Sequence, residues 1–300
     1  MRVAVSGASG LIGTALSAEL TAAGNDVVRL VRREARPASE ISWDPSSALD
    51  PGALNGVDAV VHLSGAPIAA KRWTQARKAE LRASRITSTR TLATAMAAAA
   101  LPPRVLICGS AIGYYGDTGD QVVDEGGQPG TGFLADLVRD WEAAAEPAAA
   151  AGVRVVSIRS GVVLAAEGGM LARLMLPFKL GLGARIGPGS QYFSWISLTD
   201  EVRAITFALD LHDISGPVNL TAPEPVTNAE FTQALAKVLG RPSLFTLPSP
   251  VLSAALGELA GELLASARVV PAKLVHAGFI FRDPDIRTAL TTIMAARRAG

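Results

Sequence analysis

Cysteine is almost missing from this 300-residue chain: Cys108 stands alone, so no internal disulfide can form. It ends the apolar run Arg104-Val-Leu-Ile-Cys108 and reads as a buried small hydrophobe. Histidine is nearly as scarce, and His62, His212 and His276 are too scattered for the short local spacing of a zinc site, so no metal is expected. Aromatics make up 5% of residues and the charges almost cancel, 28 basic against 27 acidic, which argues against a nucleic-acid surface or a polybasic membrane patch. No apolar run approaches the roughly 20 residues that cross a bilayer, and the mean hydropathy of +0.30 reflects abundant alanine. No signal-peptide pattern precedes the first strand-like run, so a cytoplasmic protein with neither membrane nor nucleic-acid partners is expected.

What is present starts at the N-terminus. The β-branched run Arg2-Val-Ala-Val-Ser6 leads into Gly7-Ala-Ser-Gly-Leu-Ile-Gly13 and directly on to a helical stretch. Gly7 permits a tight turn, Gly10 lets backbone approach a pyrophosphate, and Gly13 lets the helix pack closely on the sheet. The helix N-terminus adds unpaired N–H groups and a positive dipole end, so a dinucleotide site built on Gly7, Ser9, Gly10, Leu11, Ile12 and Gly13 is expected. At the end of the next strand an NAD enzyme would place an acid on the ribose 2′-OH. Arg32 and Arg33 stand there instead, which points to the 2′-phosphate of NADP(H).

Strand-like runs recur at 3–6, 27–31, 59–63, 105–108 and 153–158, with helical patterns or long connections between them. This alternation predicts an α/β fold with a doubly wound parallel sheet. The spacing predicts one long helix over 72–100, stopped by Pro102-Pro103, and another over 134–151, stopped by Gly152. Loops of a smaller lobe are expected over 178–191, a helix over 199–211, a strand over 217–221 and a helix over 227–239, followed by two or three short helices from 247 onward. Asp200 is expected to satisfy backbone donors at its own helix start.

Taken together, Gly7-Ala-Ser-Gly-Leu-Ile-Gly13, Val60-Val-His-Leu-Ser-Gly-Ala66, Lys71-Arg-Trp-Thr74, Ser84-Arg-Ile-Thr87, Gly109-Ser-Ala-Ile-Gly-Tyr-Tyr-Gly116, Ile158-Arg-Ser-Gly-Val-Val-Leu164, Gln191-Tyr-Phe-Ser-Trp-Ile196, Asn219-Leu-Thr-Ala-Pro-Glu-Pro225 and Ala277-Gly-Phe279 cover nearly the whole chain. The chain resembles the epimerase-like extended and atypical short-chain dehydrogenase/reductases that carry a small extra C-terminal helical domain, a group often labelled nucleoside-diphosphate-sugar epimerases. The resemblance implies a Rossmann domain over 1–165 completed by about 197–222, substrate-lobe segments at 166–196 and 223–246, and a helical domain over 247–300. It implies that Leu63, Ser64, Gly65 and Arg85 lie along the cofactor, that Ser160, Gly161 and Val163 lie near the nicotinamide, and that Arg72, Trp73, Gln191 and Trp195 face a small-molecule substrate.

Chemistry in that family normally needs a tyrosine acid/base with a lysine four residues on, and a serine that holds the substrate oxygen. Ser110 matches the serine. The dyad is missing: Phe133 or Leu134 stands for the tyrosine and Leu137 or Val138 for the lysine. Tyr114 and Tyr115 are the remaining phenols near Ser110. Two readings follow, an NADP(H)-dependent oxidoreductase or epimerase on a small carbonyl or sugar-like substrate, and a non-catalytic NADPH sensor. Alanine-rich helices also leave room for a homodimer.

Overall fold

The computed structural model describes residues 1–36 and 38–299. Seven parallel strands form its central sheet: β1 (Arg2–Ser6), β2 (Asp26–Val31), β3 (Glu40–Ser42), β4 (Ala59–His62), β5 (Val105–Ala111), β6 (Arg154–Ser160) and β7 (Gly216–Leu220), in the order β7-β6-β5-β4-β1-β2-β3. The order reverses direction at β1, which pairs with β2 on one side and β4 on the other. In such sheets ligands bind beyond the carboxyl ends of the strands at this switch point.

Both sheet faces are buried, as a parallel sheet requires. Val3 and Val5 face one core with Ile107 and Ile158, under helices α1 (Leu11–Ala22) and α6 (Leu198–Asp210). Ala4 faces the other with Leu106 and Cys108, under α3 (Ser88–Ala98) and α4 (Phe133–Ala143). Cys108 is fully buried. A third core joins α5 (Gly169–Lys179), α7 (Asn228–Leu239) and α8 (Ile286–Ala299) through Leu171, Phe231 and Leu290.

The predicted long helices are each divided. Helix α2 (Gln75–Arg82) starts three residues later than expected, where the Thr74 hydroxyl accepts the Arg77 N–H at 3.1 Å. A π-helical turn, Ala83–Thr87, then separates it from α3. Ser88 donates back to the carbonyls of Ser84 and Arg85 there, a hydroxyl–backbone competition that loosens the regular helical pattern. The second stretch breaks after Ala143, and a short helix resumes at Glu146–Ala150 with Pro147 in its first turn, where its missing N–H costs nothing.

The 178–191 region is also more ordered than a loop: α5 runs to Lys179, and Ala184–Ile186 pairs in parallel with Phe245–Leu247. The tail holds four helices, Ser249–Leu256, Leu259–Leu264, Ala272–His276 and α8. Asp200 does not serve its own helix. Ser197 provides that cap, while the Asp200 carboxylate accepts the N–H groups of Arg282 and Asp283 at 3.0 and 2.8 Å and tethers the C-terminal segment. No described helix is long and apolar enough to cross a membrane.

Close helix–sheet approach at the glycine turn is obligatory. A Cβ on Gly13 would lie 2.2 Å from the Gly7 carbonyl oxygen. Gly13→Ala is therefore expected to destabilise the fold by about 1–3 kcal/mol, seen as a lower midpoint in thermal unfolding; a melt that overlays the parent protein would refute this.

Candidate cofactor and substrate cleft

The strand ends after β1, β4, β5 and β6 surround a cleft of about 380 Å³. Its floor is the glycine turn. Gly7 takes φ of +71°, and a Cβ there would sit 2.8 Å from the Leu63 carbonyl, so the turns after β1 and β4 touch backbone to backbone. Gly10 caps α1 with no side-chain hydrogen bond, and no acid stands in the first turn. The N–H groups of Leu11, Ile12 and Gly13 thus keep their donor capacity, because the intrahelical ladder begins with Thr14 N–H to Gly10 at 2.9 Å. Beyond the Gly7 oxygen, a Cβ on Gly10 would meet open space. Donors, a positive dipole end and room above them fit a diphosphate. Of the residues expected at this end, Gly7, Gly10, Leu11, Ile12, Gly13, Leu63, Ser160 and Val163 line the cleft. Ser9 is exposed on the turn and Ser64 is half-buried. Gly161 instead backs onto Ser194, whose carbonyl oxygen is 2.8 Å from the position of a Cβ.

Arg85 projects from the π-helical turn against Gly65 and lies 5.2 Å from the Trp141 ring, itself part of the cleft wall. Its guanidinium makes one long bond, to the Leu81 carbonyl at 3.4 Å. Burial, with repulsion from Arg77 added, lowers its pKa to about 10. A half-buried cation without a carboxylate partner is a natural counterpart for an anionic ligand.

Arg32 and Arg33 are not equivalent. Arg33 forks onto Glu40 with bonds of 2.8 and 2.7 Å, and Glu40 also accepts the Arg36 N–H at 2.9 Å. These contacts hold the Glu40 carboxyl at about 2, well below its ordinary range. Arg33 is thereby committed to neutralising an acid of its own chain, whereas Arg32 is exposed beside it.

The other end of the cleft is built on a buried ion pair. Period-two alternation along β6 sends Arg159 to the α4 face and Ser160 to the opposite one. Arg159 binds Glu142 through Nε and Nη2 at 2.8 Å each, and its Nη1 donates to the Tyr115 hydroxyl at 3.0 Å. Ser110 Oγ donates to the same Glu142 carboxylate at 2.6 Å. Burial alone would lower the Arg159 pKa, but the bonds to Glu142 outweigh it and the guanidinium stays charged.

This geometry revises the phenol candidates. Tyr115 is buried, its hydroxyl donates to Asn219 Oδ1 at 2.8 Å, and burial raises its pKa, so it supplies no phenolate to the cleft. Tyr114 stacks under Arg159, whose guanidinium carbon is 3.4 Å from the ring centre. At the vacant dyad positions Leu137 and Val138 are buried, Phe133 packs on Trp73, and Leu134 packs on Gly113.

Both tryptophans expected at the substrate belong to cores. Trp195 is wholly buried with its N–H on the Glu224 carbonyl, and Trp73 is buried with its N–H on Ile68. Gln191 is buried and donates to Ile186, while Arg72 lies beside Gly257. His62 is enclosed between Ser6 and Ser88, and burial pushes its pKa down to about 3, leaving a neutral structural ring. Among the described residues no three His, Cys, Asp or Glu side chains gather as metal ligands. Glu142, Arg159 and Asn219 escaped the sequence reading, although an arginine inside the apolar strand Val155-Val-Ser-Ile-Arg159 is a usable signal.

Residues 3–220 match the model of the NAD dependent epimerase/dehydratase family, and residues 247–293 match a domain of unknown function, DUF1731. An epimerase family protein of Mycobacterium tuberculosis is 53% identical over 290 residues, with 96% of each chain covered. The crystal structure of human epimerase family protein SDR39U1 (isoform 2) with NADPH superposes with a TM-score of 0.90 at 35% identity, covering 98% of this chain and 99% of that one. A nucleoside-diphosphate sugar epimerase from Corynebacterium glutamicum superposes with a TM-score of 0.80 at 36% identity, covering all of this chain and 61% of that one.

Removing one partner of the buried pair strands the other charge. Arg159→Leu is expected to cost about 3–5 kcal/mol, and the double variant Arg159→Leu with Glu142→Leu to be less destabilised than that single change. Denaturant unfolding of the parent and the two variants checks this; a double variant destabilised as much as Arg159→Leu, or more, would contradict it.

Proposed function

The chain belongs to the NAD dependent epimerase/dehydratase family, and from that premise we propose that it binds NADP(H) in the cleft and acts as an oxidoreductase or epimerase on a small substrate bearing an alcohol or its carbonyl. The observation that carries the reading is a helix N-terminus whose donors are unspent, opening on a cleft whose Trp141 wall is backed by the Arg85 guanidinium, which has no carboxylate partner among the described residues. The human relative crystallised with NADPH supports the choice of cofactor. Leu11, Ile12 and Gly13 would hold the diphosphate through backbone N–H groups, Arg85 would supply positive charge beside it, and Arg32 would meet the 2′-phosphate. When bound, the nicotinamide supplies or takes a hydride.

Ser110 does the work at the substrate. Its hydrogen is spent on Glu142, an anion stabilised by Arg159, so towards the cleft it offers lone pairs and accepts the O–H of an alcohol. As hydride leaves the carbinol carbon, the hydroxyl proton passes to Ser110 Oγ and the serine proton passes to Glu142 Oε1; reduction reverses both transfers. Arg159 is bonded to both Glu142 oxygens, so the pair orients an alcohol firmly. The apolar residues at 133, 134, 137 and 138 favour, as a second reading, a non-catalytic NADPH-sensing protein.

Titration of the protein's fluorescence with NADPH and NADH tests the cofactor. Arg32→Ala is expected to weaken NADPH binding about tenfold or more while leaving NADH nearly unaffected, since a charge-assisted bond contributes roughly 1.5–3 kcal/mol. Equal losses for both cofactors would sink the assignment. For catalysis, Ser110→Ala is expected to lower alcohol-dependent NADP+ reduction by about 10²-fold or more. Tight NADPH binding with no turnover across alcohols and carbonyls would favour the sensor.

A further inference from the structure

Glu201 lies in the first turn of α6 and is wholly buried, yet among the described residues it has no counter-ion. One oxygen, Oε1, is 2.6 Å from Ser160 Oγ, and the other, Oε2, has no hydrogen-bond partner. Charged and titratable groups on the surrounding elements are engaged elsewhere. On α6 itself, Asp200 pairs with Arg203, and Asp210 stands at the far end. On α1, Glu19 is exposed; on β5, Cys108 faces the opposite core. On β6, Arg154 binds the carbonyls of Ala208, Leu209 and Ile214 at the other end of α6, and Arg159 turns away to Glu142. The adjoining strands Val162–Leu164 and Trp195–Ser197 carry no ionisable side chain.

An ionised carboxylate enclosed this way lacks compensation, so the neutral acid is the form the site accommodates. Burial pushes its pKa up to about 8, against a smaller lowering by Ser160. The neutral acid has one proton to place. On Oε2 it would be a buried donor without an acceptor; on Oε1 it lies on the short contact to Ser160 Oγ. We propose that Glu201 is a positioning residue which donates to Ser160 and so frees the Ser160 hydrogen to point into the cleft, towards a carbonyl or amide oxygen of its occupant. Resting on the NADP(H) reading, this assigns opposite polarity to the two serines of the cleft: Ser110 accepts because its glutamate is ionised, and Ser160 donates because its glutamate is not. A primary carboxamide, as on a nicotinamide, offers the oxygen that Ser160 requires.

The sign of the pH dependence follows. Below pH about 8 the acid is neutral and Ser160 donates outward; above it Glu201 ionises, Ser160 must donate to the carboxylate, and the occupant's oxygen faces a lone pair. NADPH affinity should therefore fall about tenfold between about pH 6.5 and about pH 9.5, the loss of one good hydrogen bond. Glu201→Ala, which leaves Ser160 with neither a donor nor a competing carboxylate, should lose the alkaline fall and bind more weakly than the parent at neutral pH only by the cost of an unanchored hydroxyl. Glu201→Gln, whose amide N–H donates to Ser160 as the acid does, should restore binding and abolish the alkaline fall. A fall that persists in Glu201→Gln, or a flat profile in the parent protein, overturns the proposal. The infrared carbonyl band of a protonated carboxylic acid, recorded without cofactor, gives an independent arm. It should be present at neutral pH, vanish in alkali, shift in Ser160→Ala and be absent in Glu201→Gln. A missing band in the parent overturns the role of Glu201 alone, whereas an intact band with no NADPH binding at any pH overturns the cofactor reading alone.

Discussion

Arg159 is 3% exposed, and a guanidinium so far from water needs anions and acceptors in fixed positions around it. It finds them on two elements: the Glu142 carboxylate on α4, and the turn after β5, which supplies the Tyr115 hydroxyl and the Tyr114 ring beneath it. Tyr115 then reaches Asn219 on β7, whose amide donates to Val270 in the C-terminal segment. One buried charge on β6 thus joins α4, the turn after β5, β7 and the C-terminal segment behind Ser110. Replacing both members of such a pair is tolerated better than losing one, because the cost lies in the stranded charge.

The same pair explains how a cleft beside apolar residues at 133, 134, 137 and 138 remains polar. Apolar side chains at those positions pack into α4 and against Trp73 and Gly113. Polarity enters from the strands, through Ser110 on β5 and Ser160 on β6, each backed by a glutamate in a different electrostatic setting. Among the described residues Glu142 has a guanidinium against it and Glu201 has none, so two identical side chains sit in opposite electrostatic settings on the two faces of the sheet. The difference comes from the alternation of β6, which sends Arg159 to one sheet face, while Arg154 on the other face is committed to the carbonyls at the far end of α6.

Much of the nucleotide end was legible. Gly7, Gly10 and Gly13 are dictated by contacts that any side chain would violate or obstruct, and local backbone demands of that kind leave a local signature. The strand alternation was equally readable, because both faces of a parallel sheet demand apolar residues in short runs. Arg32 and Arg33 were visible as a pair but not as unequal partners, since Glu40 arrives on β3, a strand of three residues too short to register as a pattern. The tryptophans misled for a related reason: an aromatic at a motif position looks the same whether it faces a ligand or a core.

The sequence by itself determined the class of fold, the placement of the glycine turn and the apolar residues at 133, 134, 137 and 138, because each depends on residue type at short spacing. Tertiary structure alone decided which charges meet. Arg159 and Glu142, Arg33 and Glu40, Asp200 and the backbone of Arg282 and Asp283 are joined by folding, and Glu201 owes its isolation to what does not reach it. A side chain's charge state depends on its desolvation and its neighbours in space, and neither is written in the residues beside it in the chain.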